Sequence, residues 1–291
     1  MNRHAFLIEA HNNITQLEKL FSCLDFELND IFLHLDAKSN ELNDIGAYHF
    51  KHSNFVIVPS VKVNWGGFSQ IEAELRLLEA ATQKGHYIRY HLISGMDLPL
   101  VSQKEMHNFF DSNADIEFIH YDYTYSADLF RNRLGLYHLF RDKISRNQKI
   151  LANIERLTLA IQKICGVNRI QSLSIELGKG ANWFSITDAC ARYVLEKRKW
   201  IEETFKYTKC CDEIFLQTII LNSPFKDKRF YDKQEKRYGN MRLVDWKRGN
   251  PYVYRKDDFD WLISSGYMFG RKFDEKIDGD IVNMIIKHIT K

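Results

Sequence analysis

Short apolar runs alternate with stretches of helical spacing through the first part of the chain. The runs have the length of buried strands, and they lie at residues 5–10, 30–35, 55–58 and 87–93. Helical spacing is found from residue 15 to about residue 24 and from about residue 70 to residue 83. Strands that alternate with helices are typical of a parallel sheet with helical crossovers. The pattern therefore predicts an α/β fold with a central, mostly parallel sheet flanked by helices.

The rest of the chain continues this pattern less regularly. Further strands are predicted at residues 116–120, 179–187 and 241–246. Residues 129–164 are mostly helical in pattern, and further helices are predicted at residues 190–200, 256–264 and 280–289, with Asp188 as the cap of the first. The chain has only four prolines and no low-complexity segment, which argues against long linkers and favours a single large domain.

The pattern at residues 209–222 predicts a helix whose first turn contains two acids, Asp212 and Glu213. Its apolar residues recur on one face and would anchor it in a core: Phe215, Leu216, Ile219 and Ile220. We expect Asp212 to cap this helix, because its carboxylate can accept unpaired N–H groups of the first turn. Glu213 would then lie at the positive end of the helix dipole, which favours its ionised form. A fixed carboxylate can remove a proton from a hydroxyl, although ordinary first-turn acids have the same pattern.

Polar residues follow the first two predicted strands. His11 and Asn12 come after the first, and Asp36 and Lys38 come after the second. Ligands of open parallel sheets bind at this edge, outside the carboxyl ends of the strands. No Gly-x-Gly-x-x-Gly follows the first strand, and the sequence has no Gly-Lys-Ser/Thr loop. These two absences count against a dinucleotide-binding fold and against a P-loop enzyme.

Two turns that contain glycine lie further along. Trp65 precedes a glycine pair, which permits close approach of the backbone to a ligand. Gly95 and Asp97 follow the strand at residues 87–93, an arrangement found in sugar-nucleotide sites and equally in plain turns. An aromatic cluster at residues 121–125 can stack on sugar rings, although packing is the more frequent role. Both interpretations of these segments stay open.

The composition limits the classes of partner. The 291 residues are 45% hydrophobic, which is ample for a large core, and the net charge is only +3. Such a charge fits a local phosphate pocket or an anionic membrane surface, but it is too small to indicate nucleic acid. The five cysteines lack paired metal spacing and predict reduced thiols. No apolar run is long enough to span a membrane and no signal peptide is recognised, so we expect a cytoplasmic protein.

Cations are frequent in the helical stretch at residues 129–164. They are Arg131, Arg133, Arg141, Lys143, Arg146 and Lys149. A solvated helical face is the simplest interpretation, and a surface for an anionic acceptor or for lipid headgroups is the alternative. Nucleic-acid binding is not favoured, because these charges are not interleaved with an aromatic stacking platform.

Five segments carry a resemblance to a known family. In chain order they are Trp-Gly-Gly-Phe-Ser at 65–69, Ser-Gly-Met-Asp-Leu-Pro at 94–99, Gly-Ala-Asn-Trp-Phe at 180–184, Asp-Glu-Ile-Phe-Leu at 212–216 and Phe-Gly-Arg-Lys-Phe-Asp at 269–274. Together they resemble the Core-2/I-branching β-1,6-N-acetylglucosaminyltransferases of glycosyltransferase family 14, which include the peptide xylosyltransferases. The resemblance runs over nearly the whole chain and is to a bacterial-type member.

The resemblance implies a GT-A-like glycosyltransferase domain. Residues 1–125 would be its nucleotide-sugar-binding half, and residues 126–291 would supply a helical insertion and the acceptor and catalytic half. Glu213 is implied as the catalytic base. Residues implied to hold the nucleotide are Asp36, His11 and Asn12 at the uridine and ribose, and Arg248, Arg271 and Lys272 at the diphosphate. Residues implied to bind the substrates are Asp97, Gly95, Trp65, Trp183 and Asp212.

The resemblance also implies that no metal ion is needed. An Asp-x-Asp that would hold Mn²⁺ or Mg²⁺ is missing at the expected place after a central strand. The sequence Asp278-Gly279-Asp280 lies near the C-terminus, where it is better explained as the start of a helix. Cations would then neutralise the leaving diphosphate in place of a metal.

The implied reaction is an inverting transfer from a UDP-sugar, with UDP-N-acetylglucosamine as the expected donor. The acceptor would be a glycan or a lipid-linked saccharide, joined by a β-linkage (β-1,6 by analogy) in bacterial surface polysaccharide synthesis, with peripheral contact to the inner membrane. UDP-xylose, UDP-glucuronate or another UDP-sugar stays open, as does a non-catalytic sugar-nucleotide or glycan-binding protein. Cys211 departs from the family, which has proline there. The membrane anchor and the disulfide framework of the Golgi members are not visible either.

Overall fold

The computed structural model describes residues 2–39, 45, 48–144, 148–232 and 237–290. Arg146, one of the cations named above, lies outside these residues. The strands are β1 (His4–Ala10), β2 (Asn29–Leu35), β3 (Asn54–Ile57), β4 (Arg89–Ser94), β5 (Asp97–Pro99), β6 (Phe118–Ile119), β7 (Phe184–Ile186), β8 (Arg242–Val244) and β9 (Phe269–Arg271).

The strands form a central sheet and a small sheet. The central sheet has the order β3-β2-β1-β4-β7-β6, in which β3, β2, β1 and β4 are parallel neighbours. Strand β7 runs antiparallel to both β4 and β6. The small sheet has the order β5-β9-β8, with β8 parallel and β5 antiparallel to β9. Both sheets combine strands from before and after residue 125.

Ten helices of the described chain surround the two sheets. They are α1 (Ile14–Leu24), α2 (Ser69–Lys84), α3 (Gln103–Asp111), α4 (Ala127–Arg133), α5 (Lys149–Ile164), α6 (Asp188–Glu196), α7 (Arg198–Phe205), α8 (Phe215–Leu221), α9 (Phe259–Ser264) and α10 (Gly279–Ile289). Short 3₁₀ turns lie at Arg141–Lys143, Arg169–Ser172, Cys211–Glu213, Lys226–Lys228 and Lys256–Asp258. The mixed α/β architecture with its central, mostly parallel sheet confirms the predicted fold class.

The central sheet is buried on both faces, and β1 shows why. Phe6 and Ile8 point into one core, together with α1, α10 and the small sheet. Ala5 and Leu7 point into a second core, formed with α2, α6, α7 and α8. Alternate residues of a strand point to opposite faces, so a strand between two cores must be apolar at nearly every position. This is the cause of the continuous apolar runs in the sequence.

Two predictions of local structure on this side of the molecule are wrong. The helix predicted at residues 190–200 is two helices, α6 and α7. Thr187, not Asp188, is the cap of α6, because its side chain accepts a hydrogen bond from the N–H of Cys190. The Asp188 carboxylate instead accepts a hydrogen bond of 2.6 Å from the Tyr90 hydroxyl and pairs with Arg192. The Asp188 carboxylate is therefore engaged by Tyr90 and Arg192 and does not cap α6.

Other local predictions are confirmed. Asp278 caps α10 by accepting from the N–H of Ile281, so Asp278-Gly279-Asp280 is the start of a helix. The five cysteines are all free thiols. Across the described ranges, every helix is too short or too polar to cross a bilayer.

Candidate active site

The polar residues after β1 and β2 lie together at the carboxyl edge of the central sheet, and β9 ends beside them. The charges of Asp36 and Lys38, which follow β2, act on the pKa of His11. The charges of Arg271 and Lys272, at the end of β9, also act on it. Burial is the largest effect and lowers the pKa of His11, and the three cations act in the same direction. The structure therefore brings together residues from three separate segments of the sequence, of which the third was not predicted to be a strand.

Asp36 is buried at this edge and holds two loops. Its Oδ1 accepts hydrogen bonds from the backbone N–H groups of Lys38, at 2.9 Å, and Val63, at 3.3 Å. Its Oδ2 lies 3.6 Å from Lys38 Nζ. The carboxylate thus fixes the turn after β2 against the segment that leads to Trp65.

Arg271 is held in place from three sides. Its Nη1 donates to Asp97 Oδ1 at 2.8 Å and to Ser94 Oγ. Its guanidinium lies over the Trp183 ring, 4.6 Å from the ring centroid. Asp97 is 1% exposed, and its other oxygen accepts from the N–H of Ser94 at 2.7 Å. Both Asp97 oxygens are therefore engaged in positioning Arg271 and the turn after β4.

Lys272 and Arg248 differ in their engagement. Among the described residues, no hydrogen bond or ion pair engages the Lys272 ammonium, whose charge acts on His11. Arg248 bonds Asp245 through Nε and Asp258 through Nη1, and it stacks on Tyr252 with 4.1 Å to the ring centroid. Lys272 is therefore the available cation of this pair, while two carboxylates already neutralise Arg248.

Glu213 lies before α8, the helix that was predicted at residues 209–222, and not inside it. Helix α8 begins at Phe215, Ile214 occupies its cap position without a side-chain hydrogen bond, and Glu213 ends the 3₁₀ turn before it. The prediction that Asp212 caps this helix is therefore wrong. Cys210, in left-handed conformation with φ of 49°, donates its N–H to Gly66 O and turns the chain into the 3₁₀ segment.

The Glu213 carboxylate is fixed by Arg133. Arg133 Nη1 donates to Glu213 Oε2 at 2.6 Å, and the Glu213 side chain is 37% exposed. Within the described ranges, Oε1 of this carboxylate has no hydrogen-bond partner. The N–H of Gly180 donates to Glu213 O at 2.9 Å, so the strand segment before Trp183 braces the backbone here. One oxygen is thus positioned by an ion pair, while the other can accept a proton.

Gly180 is required at this contact. A Cβ at this position would lie 1.8 Å from the carbonyl oxygen of His120, which no side chain tolerates. Gln217 of α8 donates to Ala181 O at 2.7 Å and so holds the same segment against α8. The glycine seen in the sequence therefore permits close packing of two backbones behind Glu213.

Three carboxyl groups lie behind the edge. Burial raises the pKa of Glu9 to about 8, and the charge of Asp212 acts in the same direction. Burial and the charge of Glu213 raise the pKa of Asp212 to about 7. Asp212 Oδ2 accepts from Gln70 Nε2 at 3.0 Å, whereas both oxygens of buried Glu74 have no partner among the described residues. Glu9 is within electrostatic range of both Asp212, the neighbour of Glu213, and Arg271. It therefore links the two parts of the site.

The remaining predicted residues border the site. Trp65 is 71% exposed and carries Arg141 on its ring, and the next residue, Gly66, accepts the N–H of Cys210. Gly95 donates its N–H to Glu9 O, and a Cβ there would lie 3.3 Å from that of Ala10. Asn12 is exposed in the turn after β1. All three therefore lie in segments that contact the Glu213 turn or the carboxyl end of β1.

A hollow of about 360 Å³ opens beside Arg133, between α4 and α5. Its lining is partly apolar and partly cationic, and it includes Leu129, Arg133, Leu136, Leu159, Lys163 and Lys209. Because Arg133 lines this hollow and also binds Glu213, the hollow adjoins the Arg133–Glu213 ion pair.

One group in the described ranges has the composition of a metal site, and it lies elsewhere. His4, His107 and Asp111 bring ligand atoms within 4.8 Å of one another. His4 is at the amino end of β1, opposite the edge described above. The His4 and His107 rings stack with centroids 3.8 Å apart, so their in-plane lone pairs do not converge on one point. The group is a packed histidine cluster of the core.

Sequence reasoning missed two residues of the site. Arg133 was one cation of a basic stretch, and nothing local linked it to Glu213, which lies 80 positions later. Glu9 could have been noticed, because a carboxylate inside an otherwise apolar strand requires an explanation. The contacts of Arg271 with Asp97 and Trp183 had no local signal either.

The chain is similar to mammalian xylosyltransferases over nearly its whole length. Xylosyltransferase 2 of Canis lupus familiaris is 23% identical over 307 residues, which cover 99% of this chain and 34% of that protein. Xylosyltransferase 1 of Homo sapiens is 23% identical over 305 residues, covering 97% of this chain and 30% of that protein. The chain thus spans about a third of the length of these curated relatives.

Among solved structures, the apo form of mouse xyloside xylosyltransferase 1 overlaps 93% of this chain and 97% of its own. The TM-score is 0.39 and the identity 12%, so this overlap adds nothing to the sequence matches. The family model of the Core-2/I-branching enzymes matches residues 4–261. That match covers most of the chain and includes Asp36, Arg133 and Glu213, and the chain belongs to the Core-2/I-branching enzyme family.

Proposed function

We propose that this protein is an inverting glycosyltransferase that moves a sugar from a UDP-sugar to a hydroxyl of a glycan or lipid-linked saccharide. Membership of the Core-2/I-branching family supports the class of reaction. The observation that carries the proposal is the position of Glu213. Its carboxylate is partly exposed and is fixed through one oxygen by Arg133. Its charge acts on Asp212, whose charge acts on Glu9. Glu9 is also within range of the charge of Arg271, the neighbour of Lys272.

Glu213 acts as the general base. It takes the proton of the acceptor hydroxyl, whose oxygen forms a bond to the anomeric carbon as the bond from that carbon to the diphosphate breaks. The sugar passes through an oxocarbenium-like state. Attack from the face opposite UDP turns an α-linked donor into a β-linked product, β-1,6 by analogy with the family.

Cations stabilise the departing diphosphate. Lys272 is available for a phosphate oxygen, and Arg271 is pre-positioned beside it by Asp97 and Trp183. Arg248 would join them only by exchanging one of its two carboxylate partners for phosphate. These cations supply charge stabilisation of the kind that a divalent ion provides in other transferases, and we propose that the reaction needs no metal.

The rest of the edge binds the donor and the acceptor. Asp36, with His11 and Asn12, is proposed for the uridine and ribose, because all three follow the carboxyl ends of β1 and β2. Gly95, Asp97, Trp183, Trp65 and Asp212 are proposed to surround the sugars, Trp65 through its exposed ring.

The donor has two leading candidates. The family resemblance favours UDP-N-acetylglucosamine, and the names of the curated relatives favour UDP-xylose. UDP-glucuronate and other UDP-sugars complete the set to be tested. Surface polysaccharide synthesis at the cytoplasmic side of an inner membrane is the proposed setting.

A donor screen tests the proposal. The release of UDP from each UDP-sugar is measured with and without a chelator, for the natural protein and for Glu213→Gln. We expect one donor to be turned over in both conditions and the variant to lose that turnover. Failure to release UDP from any UDP-sugar with simple saccharide acceptors, together with failure to bind UDP in calorimetry, would overturn it. Binding of UDP-sugars without turnover would instead identify a non-catalytic binding protein.

A further inference from the structure

Helix α5 exposes a continuous apolar stripe to solvent. Five large aliphatic side chains form it, at alternating intervals of four and three residues. They are Ile150 (80% exposed), Ile154 (43%), Leu157 (62%), Ile161 (51%) and Ile164 (86%). At 100° per residue this spacing places all five on one face of the helix. Single exposed apolar residues are common on protein surfaces, but a stripe along a whole helix marks a site of interaction.

The opposite face of α5 holds the helix to the protein through polar groups. Glu155 is 6% exposed, pairs with His138 at 3.2 Å and accepts the N–H of Phe140 at 3.0 Å. Gln162, seven residues later on the same face, exchanges two hydrogen bonds with the backbone of Tyr137. Polar contacts of Glu155 and Gln162, beside half-buried Leu151 and Leu159, thus face the protein, while the five aliphatic side chains of the stripe point outward.

The charge of the outward surface has one sign. Lys149, Arg156 and Lys163 are exposed at intervals of seven residues, each directly before a member of the stripe. Glu155 is the only acid in α5, and it is buried against His138. The solvent-facing surface of this helix is therefore apolar and cationic, without a carboxylate. A solvated polar face, the simplest interpretation of the sequence, does not describe it.

We propose that α5 docks this protein on an anionic lipid bilayer. The aliphatic side chains enter the boundary between headgroups and acyl chains, while the three cations reach lipid phosphates from the flank of the stripe. Their charge complements the negative surface of such a membrane.

A second copy of the chain fits the stripe less well. Sixteen residues make a helix about 24 Å long, so two copies would share a seam of only about two heptads. Five side chains from each copy fall short of the roughly 1,200–2,000 Å² that a typical stable interface buries. The pairing would also gather six cations of α5 with no acid of α5 to pair them. A bilayer satisfies both the apolar stripe and the charge.

Vesicle co-sedimentation of the full chain tests this docking independently of any transferase activity. Vesicles of phosphatidylcholine alone are compared with vesicles that also contain phosphatidylglycerol. We expect binding to the anionic vesicles at least tenfold tighter than to the neutral ones, weakening as salt is added. Equal binding to both, or no binding to either, overturns the proposal.

Two variants locate the surface. Leu157→Ser with Ile161→Ser should abolish sedimentation, and the control Ile277→Ser with Met284→Ser, which removes exposed apolar side chains elsewhere, should not. Lys149→Gln, Arg156→Gln and Lys163→Gln together should weaken binding roughly a hundredfold, since each cation near an anionic surface contributes about fivefold. The matched control neutralises Lys199, Lys206 and Lys226, which are exposed on other elements.

The outcomes separate the occupants of the stripe. All replaced side chains are exposed, so thermal unfolding should be unchanged and loss of binding cannot be assigned to misfolding. Binding that survives the stripe variant overturns the proposal. A dimer in sedimentation velocity that the stripe variant dissociates would show a second copy on α5 and overturns it as well.

Discussion

At the scale of single residues, the site is organised by side chains that are held by partners far away in the chain. Arg133 holds Glu213 through one oxygen, and Asp97 holds Arg271 from a position where both its own oxygens are engaged. Lys272 has no such partner among the described residues. The proposed base, Glu213, and one cation, Arg271, therefore have fixed positions. The other cation, Lys272, is left to bind the ligand.

Replacing Glu213 should remove the proposed base without removing the nucleotide site. We expect Glu213→Gln to lower kcat by about 10²–10⁴-fold, because an amide cannot take the proton of the acceptor. UDP affinity, measured by calorimetry, should change little. Glu203→Gln on α7 is a matched control, since that exposed side chain pairs with exposed Lys199. A Glu213→Gln protein that keeps the full transfer rate would refute the assignment.

Replacing Lys272 should have the opposite profile. Lys272→Ala removes the cation available for phosphate, so the affinity for UDP should fall by roughly tenfold or more, as for loss of a charge-assisted hydrogen bond. Lys276→Ala removes the same charge from an exposed position nearby and should leave UDP binding unchanged. Calorimetric titration with UDP compares the two, and equal affinities would exclude Lys272 from the diphosphate site.

At the scale of elements, α8 positions Glu213 by being buried on every side. All seven of its residues are buried, which goes beyond the single apolar face that the sequence predicted. Thr218 and Gln217 use their polar groups on Gly178 and Ala181 and so join α8 to the segment before β7. The turn that carries Glu213 therefore rests on a buried helix and not on a free loop.

A cavity in α8 should destabilise the fold as a whole. Ile220 is fully buried, so Ile220→Ala should cost about 2–5 kcal/mol of the free energy of unfolding. Urea denaturation followed by circular dichroism measures this. Ile277→Ala, at a side chain 46% exposed, is the control and should change stability by about 0.5 kcal/mol or less. Similar values for the two variants would contradict the burial of α8.

At the scale of the whole molecule, two cores enclose the central sheet, and both cores contain residues from the early and late parts of the chain. Ionisable groups are buried within this arrangement. Burial lowers the pKa of His91 well below its usual value, whereas burial raises the pKa of Glu9 to about 8. Burial disfavours the charged form of each group. The buried histidine therefore makes the folded protein more stable as the pH rises, whereas the buried carboxyl group makes it less stable.

The stability of the protein should therefore respond to Glu9 as the pH rises. The folded pKa of Glu9 is about 8 and its ordinary value is 4.5, so the folded chain holds a proton that the unfolded chain releases between these values. Its contribution is full below about pH 4.5 and is lost as the pH rises towards 8. Glu9→Gln keeps this position neutral at every pH. The melting temperature of the variant minus that of the natural protein should therefore increase from about pH 5 to about pH 8.

The comparison is made by differential scanning calorimetry at matched pH values, so that the histidines contribute equally to both proteins. Glu27→Gln replaces an exposed acid and should show no pH-dependent difference. A constant difference between Glu9→Gln and the natural protein across this pH range would show that Glu9 is ionised in the folded state.

Local patterns were enough to predict the six strands of the central sheet, most helices and the edge at which polar residues gather, but of the small sheet only β8 was predicted as a strand and β5 and β9 were missed. Strand and helix spacing is a local property, and burial of β1 and β2 on both faces requires the apolar runs that were recognised. The resemblance carried by five short segments led to the family that the comparison then showed.

The partners of the side chains at the candidate site follow from the three-dimensional arrangement and not from local sequence. Arg133 meets Glu213 and Asp97 meets Arg271 across separations of 80 and 174 residues, which no local pattern encodes. Aspartate is a common helix cap, yet neither Asp188 nor Asp212 caps the helix predicted to follow it. Asp188 binds Tyr90 and Arg192, and Asp212 binds Gln70. The direction in which α5 turns its apolar stripe depends likewise on the contacts of Glu155 and Gln162. Periodicity fixes which residues share a face, while packing fixes what each face meets.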